Sequence, residues 1–312
     1  MFRVESQKSE SFHSLKSLQF GWDFRASQLG PVEGLSQVSL YQTAHVAYNR
    51  FRYGAAFDQR IRSKEGFLGF GLFESDNPIT WAHDQVIPND AITIFPRDED
   101  MRGASPVGFR GNGMHFAEAF MEDLAVKVYK RPLNSLLPAP GLYEPSPIKV
   151  GMLRAELRKW QQLQAYDADT RLAIVSRREE SLVLAILDAL IDAETIEKGD
   201  LKKSTRSMAR AMEFIHSSEL ENISAVELCV YAECNPRFLE RTFQKRFGVT
   251  PKKYVKLLRL AAVRERLLAF NPQSCESIIE LAGIHGFWHM GQFAADYRSV
   301  YGELPSVTLD RH

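Results

Sequence analysis

The sequence predicts an α+β chain in two parts. A β-rich N-terminal region carrying helices comes first, then an all-α region built from two copies of one small helical unit. Three observations carry that prediction. Short apolar or alternating runs punctuated by Gly and Pro fill residues 18–130. Apolar residues at helical spacing follow between 149 and 196. The last 90 residues hold a diverged internal repeat. The expected division is 1–196 for the first domain, a polar linker at 197–204, and 205–312 for the second.

The expected strands centre on residues 37–41, 44–53, 67–73, 91–95 and 113–120. Gly30-Pro31, Asp76-Asn77-Pro78, Pro88-Asn89-Asp90 and Gly111-Asn112-Gly113 separate them as turn signals. Many short strands with such punctuation argue for a sandwich or small barrel. Trp22, Phe51, Phe70 and Trp81 either line a small-molecule pocket there or form ordinary core. Arg50, Arg52, Arg60 and Arg62 either face an anionic effector or are a solvated face. His45, His83 and His115 form no H-x-H cluster, so no metal site is expected.

Pro132, Pro138, Pro140, Pro145 and Pro147 then impose a loop. Helices are expected near 149–165 and 176–196. The second carries Leu182, Val183, Ile186, Leu187, Leu190 and Ile191 as one stripe that must be buried. It packs on its own β-domain, or Leu182, Ile186, Leu187 and Leu190 form a homodimer seam.

The net charge of zero hides an asymmetry. From 201 to 312 there are sixteen Lys and Arg against twelve Asp and Glu. Between 237 and 266 ten basic residues face only Glu240 and Glu265, which suits a phosphate-facing surface. The three cysteines, Cys229, Cys234 and Cys275, show neither disulfide-like nor zinc-like spacing, as befits a reducing cytoplasm. No apolar run approaches the roughly 20 residues of a membrane span, and the first residues lack a signal-peptide core. Neither membrane nor cofactor is expected as a partner.

The repeat is specific. S-A-V-E-L from Ser224 and FLERTFQKRFGVTP over 238–251 answer S-I-I-E-L from Ser277 and QFAADYRSVYGELP over 292–305. Phe243, Phe247, Gly248 and Pro251 align with Tyr297, Tyr301, Gly302 and Pro305 at a constant offset of 54. Ser224 with Glu227, and Ser277 with Glu280, are capping boxes. Asn235-Pro236 and Thr250-Pro251 are helix starts with Pro in the first turn. Each copy therefore reads as a helix-turn-helix: scaffold helices near 224–232 and 277–284, recognition helices near 236–247 and 289–301, and one long helix over 250–270 between them.

In the first copy Arg237, Glu240 and Arg241 fall on the outward face and are candidate base readers, arginine through bidentate bonds to guanine. His289 and Gln292 are the candidates in the second copy, where Gly291, Ala294 and Ala295 replace the first copy's polar face. Asn235, Lys245, Lys252, Lys253, Lys256 and Trp288 are candidate phosphate contacts, which orient without reading sequence. The second copy is thus expected to clamp more than read.

These residues are where the segment from Ser224 to Pro305 resembles the DNA-binding domain of AraC/XylS-family transcriptional regulators. The second module is one residue longer, and both end in F/Y-G-x-x-P. Glu233 stands in the first turn where the family often has glycine. The whole-chain layout is similar to regulators of virulence and quorum-linked genes in pseudomonads. The resemblance implies binding of double-stranded promoter DNA and activation, sometimes repression, through RNA polymerase. It implies an N-terminal domain that is often cupin-like, dimerises, and binds a small-molecule effector in some members. Two alternatives stand beside this. One is a ligand-independent regulator controlled by abundance or a partner protein. The other is an enzyme-like N-terminal domain, which the absence of any cysteine before Cys229 and of a G-x-S-x-G elbow argues against.

Overall fold

The structure, a computed structural model, describes residues 2–9, 22–74, 79–81, 85–97, 100–196, 203–269 and 277–310. The described strands are β1 (Arg3–Ser9), β2 (Trp22–Gln28), β3 (Ser36–Gln42), β4 (Val46–Arg52), β5 (Phe57–Ser63), β6 (Phe67–Glu74), β7 (Ile79–Trp81), β8 (Gln85–Ile87), β9 (Ile92–Ile94), β10 (Met101–Ser105), β11 (Arg110–Ala117), β12 (Gly141–Glu144) and β13 (Glu194–Thr195). They form two antiparallel sheets, ordered β1-β3-β4-β11-β6-β9-β12-β13 and β2-β5-β10-β7-β8. The two face each other as an open, flattened barrel around Trp22, Phe51, Phe57, Phe73, Phe95 and Phe109.

Strand alternation sorts side chains between two cores. On β4, Ala47 and Phe51 face the smaller sheet, while Val46 and Tyr48 face the helices. Those helices are α1 (Glu118–Leu124), α2 (Pro147–Gln162) and α3 (Ala168–Ile191). They cover the outer face of the larger sheet. Gly69 and Gly71 on β6 and Gly111 on β11 make room inside: a Cβ would lie 2.9 Å from Trp22, 2.3 Å from Phe73 and 2.8 Å from Phe73 respectively. Those rings occupy the space between the sheets.

The α3 stripe is resolved in favour of internal packing. Leu182, Ile186, Leu187 and Leu190 are buried within the chain's own core with Leu153, Leu157 and Trp160 of α2 and the large sheet. They are not available as a dimer seam. The helix also begins eight residues earlier than the stripe suggests, because Asp167 caps it by accepting from the Thr170 N–H. The strands β2, β5 and β10 escape the apolar pattern because their sequences WDFRASQ, FDQRIRS and MRGAS are largely polar.

The second part holds α4 (Lys203–Ser217), α5 (Ala225–Tyr231), α6 (Pro236–Phe247), α7 (Pro251–Leu268), α8 (Ile278–Ile284), α9 (Met290–Tyr301) and α10 (Pro305–Leu309). α4 starts inside the stretch expected to be linker, whose residues 197–202 lie outside the described ones, as does Cys275. Leu239, Phe243, Leu257, Leu260, Phe293 and Tyr297 join in one core. Leu29 and Ala104 of the smaller sheet belong to the same core, so α7 packs on β2. Gln28 Nε2 of β2 also donates to the Val300 carbonyl of α9 at 2.7 Å. Asp58 of β5 is buried there, with His216 Nε2 at 4.0 Å and the buried Tyr254 beside it.

Candidate nucleic-acid interface

Both expected capping boxes form. Ser224 Oγ accepts from the Glu227 N–H while the Glu227 carboxylate accepts from the Ser224 N–H at 3.0 Å. Ser277 and Glu280 repeat the arrangement, the latter bond at 2.8 Å. Asn235 Oδ1 accepts from the Phe238 N–H at 2.9 Å and Thr250 Oγ1 from the Lys253 N–H at 3.3 Å. Both recognition helices end on a left-handed glycine, Gly248 at φ 69° and Gly302 at φ 75°. The turns match too: Glu233 at φ 48° occupies the left-handed slot that Gly286 fills at φ 76° in the second module. Arg210 pairs with the Glu233 carboxylate across to α4.

With its ends fixed, α6 buries Leu239, Phe243 and Phe247 and exposes Arg237, Glu240, Arg241 and Lys245. Arg237 and Arg241 are one turn apart on the outward face. The Arg241 guanidinium lies 5.7 Å from the centre of the Phe238 ring, which steadies it. Gln244 shares this face one turn further on, and its Nε2 donates to the Gly248 carbonyl at 2.9 Å.

The second recognition helix starts at Met290, with His289 as its N-cap residue making no side-chain cap bond. Phe293, Tyr297 and Val300 are buried. Gly291, Gln292 and Ala295 are exposed, as is Arg298. Arg298 aligns with Gln244 at the offset of 54, so this helix carries one outward cation that the comparison of positions 237, 240 and 241 misses. Extending the repeat alignment one further turn finds it.

Between the modules lies a cleft of about 690 Å³. Lys252 and Lys253 at the start of α7 line one wall, and Trp288, His289 and Gln292 the other. Trp288 is exposed at 79%, an unusual position for an indole. Lys252 and Lys253 are exposed, as phosphate contact requires. Lys256 is placed differently: its Nζ donates to both Asp296 carboxylate oxygens at 3.0 Å, tying α7 to α9. Asn235 has its side-chain oxygen engaged in the cap, leaving only its amide to reach outward. Arg264 pairs with Glu303 at 2.9 Å and completes the hold of α7 on the second module.

The N-terminal candidates do not converge. Trp22 and Phe51 lie between the sheets, Trp22 packed against His115 with ring centres 3.6 Å apart. Phe70 points to the opposite face, into the helix-covered core. The Trp81 side chain lies outside the described residues. Burial keeps His115 neutral by pushing its pKa well below the usual imidazole value. Among the described residues no three His, Cys, Asp or Glu side chains gather as a metal site, and no helix is long and apolar enough to cross a membrane.

Comparison with known proteins agrees with this geometry. A family profile described as a helix-turn-helix domain matches residues 228–311. The "XylDLEGF operon transcriptional activator 1" of Pseudomonas putida is 38% identical over 131 residues, 42% of this chain and 38% of that protein. The "HTH-type transcriptional regulator GbdR" of Pseudomonas aeruginosa is 39% identical over 85 residues, 27% of this chain and 22% of that one. The chain thus spans less than half the length of these relatives. Among solved structures, the AraC-like transcriptional activator CuxR aligns over 83% of this chain and 94% of that one, at 14% identity and a TM-score of 0.42. The C-terminal domain of this chain is an AraC/XylS-type helix-turn-helix domain.

Proposed function

We propose that the protein is a sequence-specific transcriptional regulator that binds promoter DNA through both helix-turn-helix modules. One observation carries this: α6, capped at both ends and anchored by Leu239 and Phe243, presents Arg237, Glu240 and Arg241 to solvent as a rigid set. Arginine there can read guanine and Glu240 can accept from cytosine N4. Lys245, Lys252, Lys253 and Trp288 supply backbone contacts, with the cleft between the modules straddling a phosphate strand. α9 offers Gln292 and Arg298 but two small residues, Gly291 and Ala295, on its outer face, which suits clamping and shape reading more than a dense base code.

The relatives named as operon activators support activation as the direction of control, through contact with RNA polymerase. The N-terminal sheets and helices form the regulatory part, and the active form is a homodimer in the cytoplasm, with no catalytic role. Genome-wide mapping of bound DNA, followed by footprinting with purified protein, tests the proposal. Recovery of a shared motif spanning two successive major-groove segments is the expected result. Binding without any enriched motif would refute sequence-specific recognition.

A further inference from the structure

The helix-covered face of the larger sheet ends in a basic cleft of about 700 Å³, within the size range of small-molecule sites. Strand register builds it. Arg52 on β4 stands directly opposite Arg110 on β11, and Arg50, two residues back on the same face, stands opposite Asn112. Like charges directly opposed across an antiparallel pair are destabilising, so this pairing is a cost the isolated fold does not need. α2 adds Arg154 and Arg158 from above.

Among the described residues, Glu74 and Asp90 are the carboxylates seen to pair with Arg110 and Arg154. Glu74 lies 3.6 Å from Arg110 Nε and 3.3 Å from Arg154 Nη2, and Asp90 pairs with Arg154. Arg52 and Arg158 are exposed and have no acidic partner among the described residues. Arg154 Nε is buried without a hydrogen-bond partner. Arg50 is held in place: its Nη1 donates to Gln161 Oε1 at 3.0 Å, Gln161 Nε2 donates to the Tyr48 hydroxyl at 2.7 Å, and that hydroxyl donates to Asn112 Oδ1 at 2.8 Å. A positioned, under-neutralised set of guanidiniums around a concave site is the chemistry of oxyanion recognition. DNA is not the occupant, because the larger sheet separates this cleft from the smaller sheet on which α7 packs.

We propose that this cleft binds a small organic polyanion carrying two or more phosphate or carboxylate groups. The test is titration calorimetry of the full-length protein at fixed ionic strength, with inorganic pyrophosphate and citrate as probes. Saturating operator-length duplex is present so that the DNA-facing cations are occupied. Saturable binding of either probe is expected, pyrophosphate pointing to phosphate esters and citrate to carboxylates. Arg52→Gln and, separately, Arg158→Gln should each weaken it about tenfold, the loss of one charge-assisted hydrogen bond. Arg158 is exposed on α2, so the second variant stays informative if the first misfolds. No saturable binding, or equal affinity in wild type and Arg158→Gln, overturns the proposal.

Discussion

Asp58 offers a quantitative test of how the two halves of the chain are joined. Its carboxyl lies buried under α7, and burial pushes its pKa up from 3.8 to about 6, partly opposed by the Tyr254 hydroxyl and by Arg246. The sign follows from proton counting. Between pH 4 and 6 the folded chain holds a proton on Asp58 that the unfolded chain has released, so stability falls as pH rises through that window. At about 1.4 kcal/mol per pKa unit, roughly 3 kcal/mol present in acid is gone above pH 6. Asp58→Asn keeps the shape and carries no titrating proton, so it escapes this loss. His216, beside Asp58, has its pKa lowered to about 3 by burial, so it loses stability in acid, in wild type and variant alike. Taking the difference between the two proteins therefore largely isolates Asp58. Urea unfolding of both, from pH 4 to 8, should show the variant gaining on wild type by about 3 kcal/mol up to pH 6 and then levelling. A difference that is flat with pH, or that grows toward acid, would show that Asp58 is not buried against α7 as described.

Three further outcomes concern the proposed DNA face and its turns. Arg241→Ala should cost about 1–3 kcal/mol of specific binding and much less of non-specific binding in competition titrations; equal losses on both would remove Arg241 from base reading. Lys253→Ala should lower the slope of log affinity against log salt by about one, whereas Lys256→Ala should leave the slope unchanged and instead destabilise the fold, because Lys256 is bound to Asp296. A normal slope in the first variant and a reduced one in the second would reverse those assignments. Gly286→Ala and Gly248→Ala both place a Cβ on a left-handed residue, about 1–2 kcal/mol of strain. Only at position 286 would the new Cβ also press within 3.2 Å of Glu221 and 3.3 Å of Arg259, so thermal unfolding should show Gly286→Ala to be the more damaging; the opposite order contradicts the turn geometry.

Much of the C-terminal domain was legible because its signals are local. A capping box, an Asn-Pro or Thr-Pro start and a glycine stop each act within four residues, so the sequence holds the whole cause. Arg298 lies one turn beyond the positions that answer Arg237, Glu240 and Arg241, so those three alone do not reveal it. From sequence Lys256 reads as a phosphate contact, because its partner Asp296 is 40 residues away, beyond any local pattern. The same reason explains the α3 stripe. Periodicity says that Leu182, Ile186, Leu187 and Leu190 must be buried but not against what, and the large sheet answers that. Phe70 and Phe51 differ by an odd-even shift on separate strands, and only the pairing of both strands with β11 places them on opposite faces.

α7 is where these threads meet. Lys252 and Lys253 face outward from its first turn, while Pro251, Tyr254 and Val255 in the same turn are buried. Tyr254 lies beside Asp58 of the smaller sheet, and Lys256 and Arg264 grip the second module. The helix that carries the proposed phosphate contacts therefore also packs on the sheet and lies between the two recognition helices. Because β2 and β5 are paired, a shift of the smaller sheet against the helical domain would disturb both the buried Asp58 site and the Gln28–Val300 hydrogen bond to α9. The smaller sheet thus meets the helical domain at α4, α7 and α9, and Asp58→Asn probes the contact beneath α7.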